Sequence, residues 1–192
     1  MKLLATLFLL SVFACLFPNG EQAQQTPILK PTKVENKWGY SNSRGELVIP
    51  PQFDIALDFK NDFARVGVTD TEKHGLGWRS DYKWGFIDIK GRIVVELKYA
   101  EVDDFSEGLA MVSLREQRRL CGVDNYGYVD TTGALVIGPK FAFAGSFHNG
   151  RARVGGGETK YIGRCLCCAP QFVGRYGYTD KSGNFVPDVR EK

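Results

Sequence analysis

The sequence predicts an all-β fold made of tandem copies of a short antiparallel three-strand unit. Residues 37–66, 83–112 and 125–154 align with one another without a gap, and a partial fourth copy covers 175–189. Within each copy, apolar residues alternate with polar or small residues, which is the periodicity of strands and not of helices. A unit this small cannot bury its own apolar face, so the copies must stack on one another.

The composition is that of one folded domain. The chain has 192 residues, of which 43% are hydrophobic and 24% are charged, and these fractions exclude a disordered chain. Lysine and arginine number 25 and aspartate and glutamate 22, so the formal net charge is only +3. A balance this close to neutral leaves no basic footprint, and we expect no nucleic-acid partner.

Residues 1–23 are predicted to be a secretory signal peptide. Lys2 supplies the positive start, and the apolar run 3–17 follows it. A bilayer span needs about 20 apolar residues, so this run is too short to be a transmembrane segment, and no later segment is longer. Cleavage after Ala23 leaves an N-terminal segment, 24–36, in front of the repeat domain, 37–192.

A second processing route competes with the first. Residues 12–15 resemble a bacterial lipoprotein box, in which Cys15 would carry a lipid anchor. A buried N-terminal helix is a further alternative for the apolar run. Both processing routes export the protein, so we expect it to be periplasmic, secreted or envelope-associated.

Each copy opens with a strand in which glycine lies between two aromatic residues. The period of two places both aromatics on one face, and the glycine lets another backbone approach closely. A polar turn follows, in which Asp or Asn can hydrogen-bond the turn and a final glycine can take a positive φ, so we expect a hairpin. The openings are Trp38-Gly39-Tyr40, Trp84-Gly85-Phe86, Tyr126-Gly127-Tyr128 and Tyr176-Gly177-Tyr178, and the turns are 42–45, 88–91, 130–133 and 180–183.

The second strand of each copy is rich in β-branched residues, as a half-buried pleated surface favours. Pro50-Pro51 should end this strand in the first copy, because proline cannot donate to a ladder. The three second strands are 47–49, 93–95 and 135–137.

The third strand has the pattern x-Ala-x-Val. Ala and Val share one face and are expected to pack inward, whereas the x positions face the opposite way and differ between copies. If the apolar x residues are exposed they form a stripe for a protein partner, and if the units stack through them they are core. The inward alanines are Ala64, Ala110 and Ala152, and the x positions are Phe63, Arg65, Leu109, Met111, Arg151 and Arg153.

These motifs resemble the WG-repeat family, also called KWG repeats. The resemblance lies in the openings Lys37-Trp38-Gly39-Tyr40 and Lys83-Trp84-Gly85-Phe86 and in the stretches 48–54 and 104–110. The third and fourth copies have Tyr in place of Trp, which departs from the family pattern but keeps an aromatic ring. The resemblance implies repeated β units and a binding or scaffolding role in bacterial envelope and secreted proteins, and it implies no catalytic residues.

Two assemblies of the copies are compatible with the repeat. An open β array is the first expectation, and a closed, propeller-like ring is the alternative. The last copy lacks a third strand, and the segment from Leu29 to Val34 precedes the first copy. In a closed ring, this N-terminal segment would supply the missing strand.

Four cysteines remain after the signal, and they lie in two connectors between copies. In an exported protein, an even number of cysteines indicates disulfides. A metal site with thiolate ligands is the alternative, although the cluster lacks the two-residue spacer of zinc motifs. The candidates are Cys121, Cys165, Cys167 and Cys168.

Arginines supply weak candidates for a binding surface. Three lie in the connector before the third copy, and the others occupy x positions of third strands. Together they could form a basic patch for an anionic polymer or an acidic partner, and a solvated face is the alternative. They are Arg65, Arg115, Arg118, Arg119, Arg151 and Arg153.

Aspartates at the turn before the third strand are the only candidates for catalysis. Paired carboxylates can hydrolyse glycosidic bonds, but aspartate at a recurring turn usually satisfies turn amides. The sequence has no nucleophile elbow, phosphate loop or cofactor motif, so we expect neither an enzyme nor a cofactor. The residues concerned are Asp58, Asp62, Asp103 and Asp104.

The sequence therefore predicts a non-catalytic, exported repeat module that binds a protein or polysaccharide of the bacterial envelope. Two alternatives remain open. One is an exported hydrolase with a carboxylate pair in a groove between copies. The other is a purely structural repeat protein of the cell surface.

The export prediction is tested by N-terminal sequencing of mature protein from its native host. We expect the chain to begin at or near Gln24, because the apolar run ends before that point. A lipidated chain that begins at Cys15 would reverse the choice of processing route. Mature protein that still carries Met1 would contradict export.

The cysteine prediction is tested by peptide mapping of exported protein without reduction. Because the two connectors are equivalent in the repeat, we expect Cys121 to pair with Cys165, Cys167 or Cys168. A disulfide that closes a loop of about 45 residues stabilises the fold by about 4 kcal/mol in the chain-entropy model. Four reduced thiols would contradict the pairing, and stoichiometric zinc would support the metal site.

Overall fold

The computed structural model describes residues 28–70, 81–116, 123–161 and 170–188, and most of these residues belong to β-strands. Within these ranges, there is no helix that is both long enough and apolar enough to cross a membrane. In chain order the strands are β1 (Lys30–Val34), β2 (Lys37–Ser41), β3 (Leu47–Phe53), β4 (Ile55–Ala56), β5 (Phe63–Asp70), β6 (Asp81–Asp88), β7 (Ile93–Tyr99), β8 (Glu101–Val102), β9 (Leu109–Glu116), β10 (Val123–Asp130), β11 (Leu135–Phe141), β12 (Phe143–His148), β13 (Arg151–Tyr161), β14 (Pro170–Asp180) and β15 (Phe185–Pro187).

The strands form four antiparallel sheets, which confirms the predicted all-β repeat array. Sheet 1 has the order β1-β2-β3, sheet 2 β4-β5-β6-β7, sheet 3 β11-β10-β9-β8 and sheet 4 β12-β13-β14-β15. Each complete copy contains one strand more than predicted, namely β4, β8 or β12, between the second and third strands. This additional strand pairs with the third strand of its own copy.

Sheets 2, 3 and 4 each combine strands from two consecutive copies, whereas sheet 1 combines β1 with the first copy. The third strand of one copy pairs with the opening strand of the next, as Val66 does with Gly85 and Val112 with Gly127. The sequence repeat is therefore shifted relative to the sheet. Sheet 4 is consequently complete, because its third-strand partner comes from the preceding copy.

The closed ring proposed as an alternative is wrong. β1 pairs with β2, the opening strand of the first copy, and it occupies in sheet 1 the place that β5 occupies in sheet 2. The two strands are joined by a tight turn in which Glu35 has a φ of 53°. This local hairpin uses the segment Leu29–Val34 at the start of the array, so the segment does not close a ring.

Three hydrophobic cores lie between the four sheets, one between each neighbouring pair. Within the described residues, no such core joins sheet 4 to sheet 1, so the array is open. The core between sheets 1 and 2 contains Tyr40, Ile49 and Val66, that between sheets 2 and 3 contains Phe86, Val95 and Val112, and that between sheets 3 and 4 contains Tyr128, Ile137 and Val154.

The third strand of sheet 3 is buried on both faces. Ala110 packs into the core toward sheet 2, whereas Leu109 and Met111 are only 7% and 6% exposed and pack into the core toward sheet 4. The predicted strand register is therefore confirmed. The apolar x positions of this strand are not a stripe for a partner, because the sheets stack through them.

Glycine and aspartate have the predicted roles in the opening hairpin. A Cβ atom on Gly127 would lie 2.4 Å from the carbonyl oxygen of Ile137, so no other residue fits at this close approach. In the turn that follows, Asp130 Oδ1 accepts hydrogen bonds from the amides of Thr132 and Ala134 at 2.8 and 3.0 Å. Gly133 completes the turn with a φ of 86°.

Pro50 and Pro51 do not end the second strand, contrary to expectation. β3 continues through both prolines to Phe53. The strand lies at the edge of sheet 1, and its register shifts between the pairs that Trp38 and Tyr40 form. An irregular edge strand tolerates proline because the missing amide donor is not needed there.

Ala110→Asp tests the two-sided burial of the third strand. Ala110 is 0% exposed, so the variant buries an unpaired charge, and we expect a loss of more than about 4 kcal/mol of stability. The matched control is Ala134→Asp at an exposed turn position, which should melt within a few degrees of wild type. Equal melting temperatures for the two variants, measured by circular dichroism, would contradict the burial of this strand between two sheets.

Candidate functional site

One face of sheet 4 packs on sheet 3, and no other sheet among the described residues covers its opposite, outer face. Its residues are those that point away from the core shared with sheet 3. We call this surface the terminal face and define it as Phe143, Arg151, Arg153, Tyr176, Tyr178 and Val186.

Equivalent positions in the other sheets show that the terminal face is an uncovered repeat interface. Tyr178 is 42% exposed, although the aromatics at the same place in the opening strands of sheets 1 to 3 are at most 1% exposed. Val186, which pairs with Tyr178, is 61% exposed, whereas its counterparts are at most 3% exposed. These counterparts are Tyr40, Phe86 and Tyr128 for the aromatic and Ile49, Val95 and Ile137 for the aliphatic partner.

The opposite end of the array is finished differently. In sheet 1, Lys30 and Thr32 occupy the strand positions that Ala64 and Val66 occupy in sheet 2. The hydroxyls of Thr32 and Ser41 are 2.6 Å apart and hydrogen-bond each other on this face. A polar outer face is what a terminal repeat needs in water, so sheet 1 is capped whereas sheet 4 is not.

A groove of about 680 Å³ crosses one side of the terminal face. Arg153 stacks on the ring of Tyr176, with its guanidinium carbon 5.4 Å from the ring centroid. Neither Arg151 nor Arg153 forms an ion pair with any residue in the part of the chain that the structure describes. The groove is lined by Gly145, Ser146, His148, Asn149, Arg151, Arg153 and Tyr178.

Arg65 shows how the equivalent arginine is used inside the array. Arg65 pairs in register with Phe86, as Arg153 pairs with Tyr178. At the interface between sheets 2 and 3, its Nε lies 2.8 Å from Asp104 Oδ1 and its Nη1 lies 3.8 Å from Asp103 Oδ1. Arg65 is therefore committed to an internal contact and does not present itself to an external partner.

Asp103 of this contact is held in its charged form. Partial burial alone would raise the pKa of Asp103, but hydrogen bonds from Ser146 Oγ and the Asp104 amide, together with the charge of Arg65, lower it overall. Asp104 also pairs with Lys60. A general acid needs a raised pKa, so these contacts favour the structural role that the sequence predicted for the turn.

The buried tyrosines make a second recurrent contact. The Tyr128 hydroxyl donates to the carbonyl oxygen of Gly145 in sheet 4 at 2.7 Å, and the Tyr40 hydroxyl donates to that of Leu57 in sheet 2 at the same distance. Burial raises the pKa of both Tyr40 and Tyr128, so they remain neutral donors. Tyr178 has the same place in sheet 4, where it is 42% exposed.

The structure places the sequence-predicted site residues in different parts of the molecule. The terminal face brings Arg151 and Arg153 together, Arg65 lies inside the array, and Arg115 lies near the end of β9. In the described ranges, no group of three or more His, Cys, Asp or Glu residues could hold a metal ion. The remaining candidates lie outside the described residues, namely Cys15, Arg118, Arg119, Cys121, Cys165, Cys167 and Cys168.

Sequence reasoning missed the aromatic part of the site. The repeat pattern makes Tyr176 and Tyr178 equivalent to the buried aromatics of the other copies. The exposure of Tyr176 and Tyr178 follows from their place in sheet 4, whose outer face is uncovered in an open array. Predicting this exposure depends on knowing that the array is open.

A comparison with protein families supports the resemblance noted in the sequence. The family model described as WG containing repeat matches residues 38–70, 84–116 and 126–155, and each match runs across a sheet boundary of the array. No curated protein and no solved structure matches the chain. With half of its residues matched in three consecutive copies, the chain belongs to the family of WG-repeat proteins.

Proposed function

We propose that this chain is an exported, non-catalytic binding module and that the terminal face is the surface that meets its partner. The observation that carries the proposal is the exposure of Tyr178 and Val186, at positions where every other sheet buries its residue. The partner is a protein or polysaccharide of the bacterial envelope.

The chemistry of the terminal face supports a binding role. Apolar side chains that are exposed together, beside a few charged groups, are typical of interaction sites. Phe143 and Tyr176 pack edge to face with their ring centroids 6.3 Å apart, so the apolar floor is ordered before a partner arrives. Arg151 and Arg153 border this floor and supply the charge.

The contacts of the turn aspartates support the non-catalytic part of the proposal. Asp103 and Asp104 bridge sheets 2 and 3 through Arg65 and Lys60, so they are used to hold the array together. A glycosidase pair requires one carboxyl group with a raised pKa, whereas the pKa of Asp103 is lowered.

Export rests on the N-terminal sequence. Lys2, the apolar run 3–17 and the break at Pro18 have the order of a signal peptide. A binding module that is exported meets partners in the envelope or outside the cell. The resemblance to WG repeats implies the same setting.

The double variant Arg151→Ala/Arg153→Ala tests the proposed surface. Both side chains are exposed, so the fold should lose less than about 0.5 kcal/mol of stability. We expect affinity for the partner to fall about tenfold or more, because arginine is often a major contributor at interfaces. The partner is first isolated from envelope extract and identified, and binding is then measured with the purified component.

The matched control is Arg44→Ala/Lys90→Ala, which removes the same charge from two exposed hairpin turns away from the terminal face. This control should bind as tightly as wild type. If the control and the double arginine variant lose affinity equally, net charge and not the terminal face determines binding. If the double arginine variant binds normally, the terminal face is not the site.

A further inference from the structure

The same contact recurs at each interface between neighbouring sheets. The segment that leads into the third strand of one sheet lies against the opening aromatic of the sheet before it. Its own aromatic ring packs on that residue in all three interfaces, with centroid distances of 4.8, 4.7 and 4.8 Å. The pairs are Tyr40 with Phe59, Phe86 with Phe105, and Tyr128 with Phe147.

The docked segment is also recognised through its backbone. Tyr40 and Tyr128 each donate a hydrogen bond to a carbonyl oxygen of the segment, and Arg65 Nη1 donates to the carbonyl oxygen of Val102 at 3.3 Å. Tyr178 presents the same hydroxyl on the terminal face, and Arg153 presents the same guanidinium. A peptide carbonyl is therefore the acceptor that these donors are placed to meet.

Charge specifies the segment further. At the interface between sheets 2 and 3, Arg65 and Lys60 hold the carboxylates that directly precede the aromatic Phe105. On the terminal face, Arg153 stands at the position of Arg65, His148 at that of Lys60, and Arg151 is a second arginine. The terminal face thus has two arginines where the internal interface uses one arginine and one lysine to bind two aspartates.

A second copy of this chain is a poor occupant. Two terminal faces would bring Arg151 and Arg153 against their own counterparts. The outer face of sheet 1 would bring Lys30 toward the same arginines. Like charges oppose both arrangements, so the complementary partner is a different molecule.

We propose that the terminal face binds an extended polypeptide segment in which carboxylates directly precede an aromatic side chain, in the way that the face of sheet 2 binds Asp103, Asp104 and Phe105. This inference rests on the proposed function and names the class of partner. The aromatic ring packs on Tyr178, the carboxylates pair with Arg151 and Arg153, and the Tyr178 hydroxyl donates to a backbone carbonyl.

The probe is a synthetic peptide with the sequence of residues 101–107, Glu-Val-Asp-Asp-Phe-Ser-Glu, with blocked ends. It is titrated into the ¹⁵N-labelled protein to about 1 mM, and amide shifts are followed by NMR. We expect saturable shifts at Arg151, Arg153 and Tyr178. A peptide with both aspartates changed to asparagine should bind about tenfold more weakly, since two ion pairs are lost.

Protein variants separate the parts of the site. Arg153→Ala should weaken binding of the acidic peptide more than binding of the asparagine peptide, because the arginine contacts carboxylates as well as a backbone carbonyl, whereas Tyr178→Ala should weaken both to a similar extent. Arg44→Ala is the control for charge and should change neither. All variants should melt like wild type by circular dichroism, because the altered side chains are exposed.

Four outcomes would overturn the inference. They are the absence of saturable shifts, equal binding of the acidic and asparagine peptides, dimerisation through the terminal face in place of peptide binding, and shifts confined to Arg65 and Phe86, which would mean that the peptide displaces its own internal copy. An oligouronate titrated in parallel separates this inference from the proposed function. If the oligouronate binds at Arg153 and the peptide does not, the partner class is wrong but the binding face stands.

Discussion

The structure depends on one constraint, which is that its central sheets are apolar on both faces. Ala110 and Met111 are neighbours in one strand, yet they pack into two different cores. Such a sheet is stable only between two others, because each uncovered apolar face costs free energy in water. The outer faces of sheets 1 and 4 therefore need residues different from those of the inner faces. The outer face of sheet 1 carries the hydrogen-bonded hydroxyls of Thr32 and Ser41, whereas that of sheet 4 carries exposed aromatic rings and arginines.

This constraint connects the fold with recognition. Because sheets 1, 2 and 3 each accept a segment of the next sheet, we infer that sheet 4 has a surface suited to a segment of the same kind. The x position that pairs with the opening aromatic is Arg65, Met111 or Arg153 in successive sheets, so the specificity of an interface changes with one side chain while the packing frame is kept. A repeat array can thus alter what its end binds without altering its fold.

Most of the local structure could be predicted from the sequence, because its determinants act over only a few residues. These determinants are the period-two alternation, Asp and Gly in the turns, and the glycine at position 127. The pairing between copies could not be predicted, since periodicity does not say which sheet a strand joins. Pro50 and Pro51 were misjudged because an edge strand needs fewer donors. The exposure of Tyr178 depends on its place at the end of the array and not on its own neighbours in sequence.

The central claim is that the same tyrosine position is buried inside the array and open at its end. Nitration with tetranitromethane, followed by peptide mapping of the folded protein, measures this directly. Tyr178 should be nitrated rapidly. Tyr40 and Tyr128, which are 0% exposed, should be protected from nitration. Modification of Tyr128 at the rate of Tyr178, in protein that is still folded by circular dichroism, would contradict the stacked array and the terminal face together.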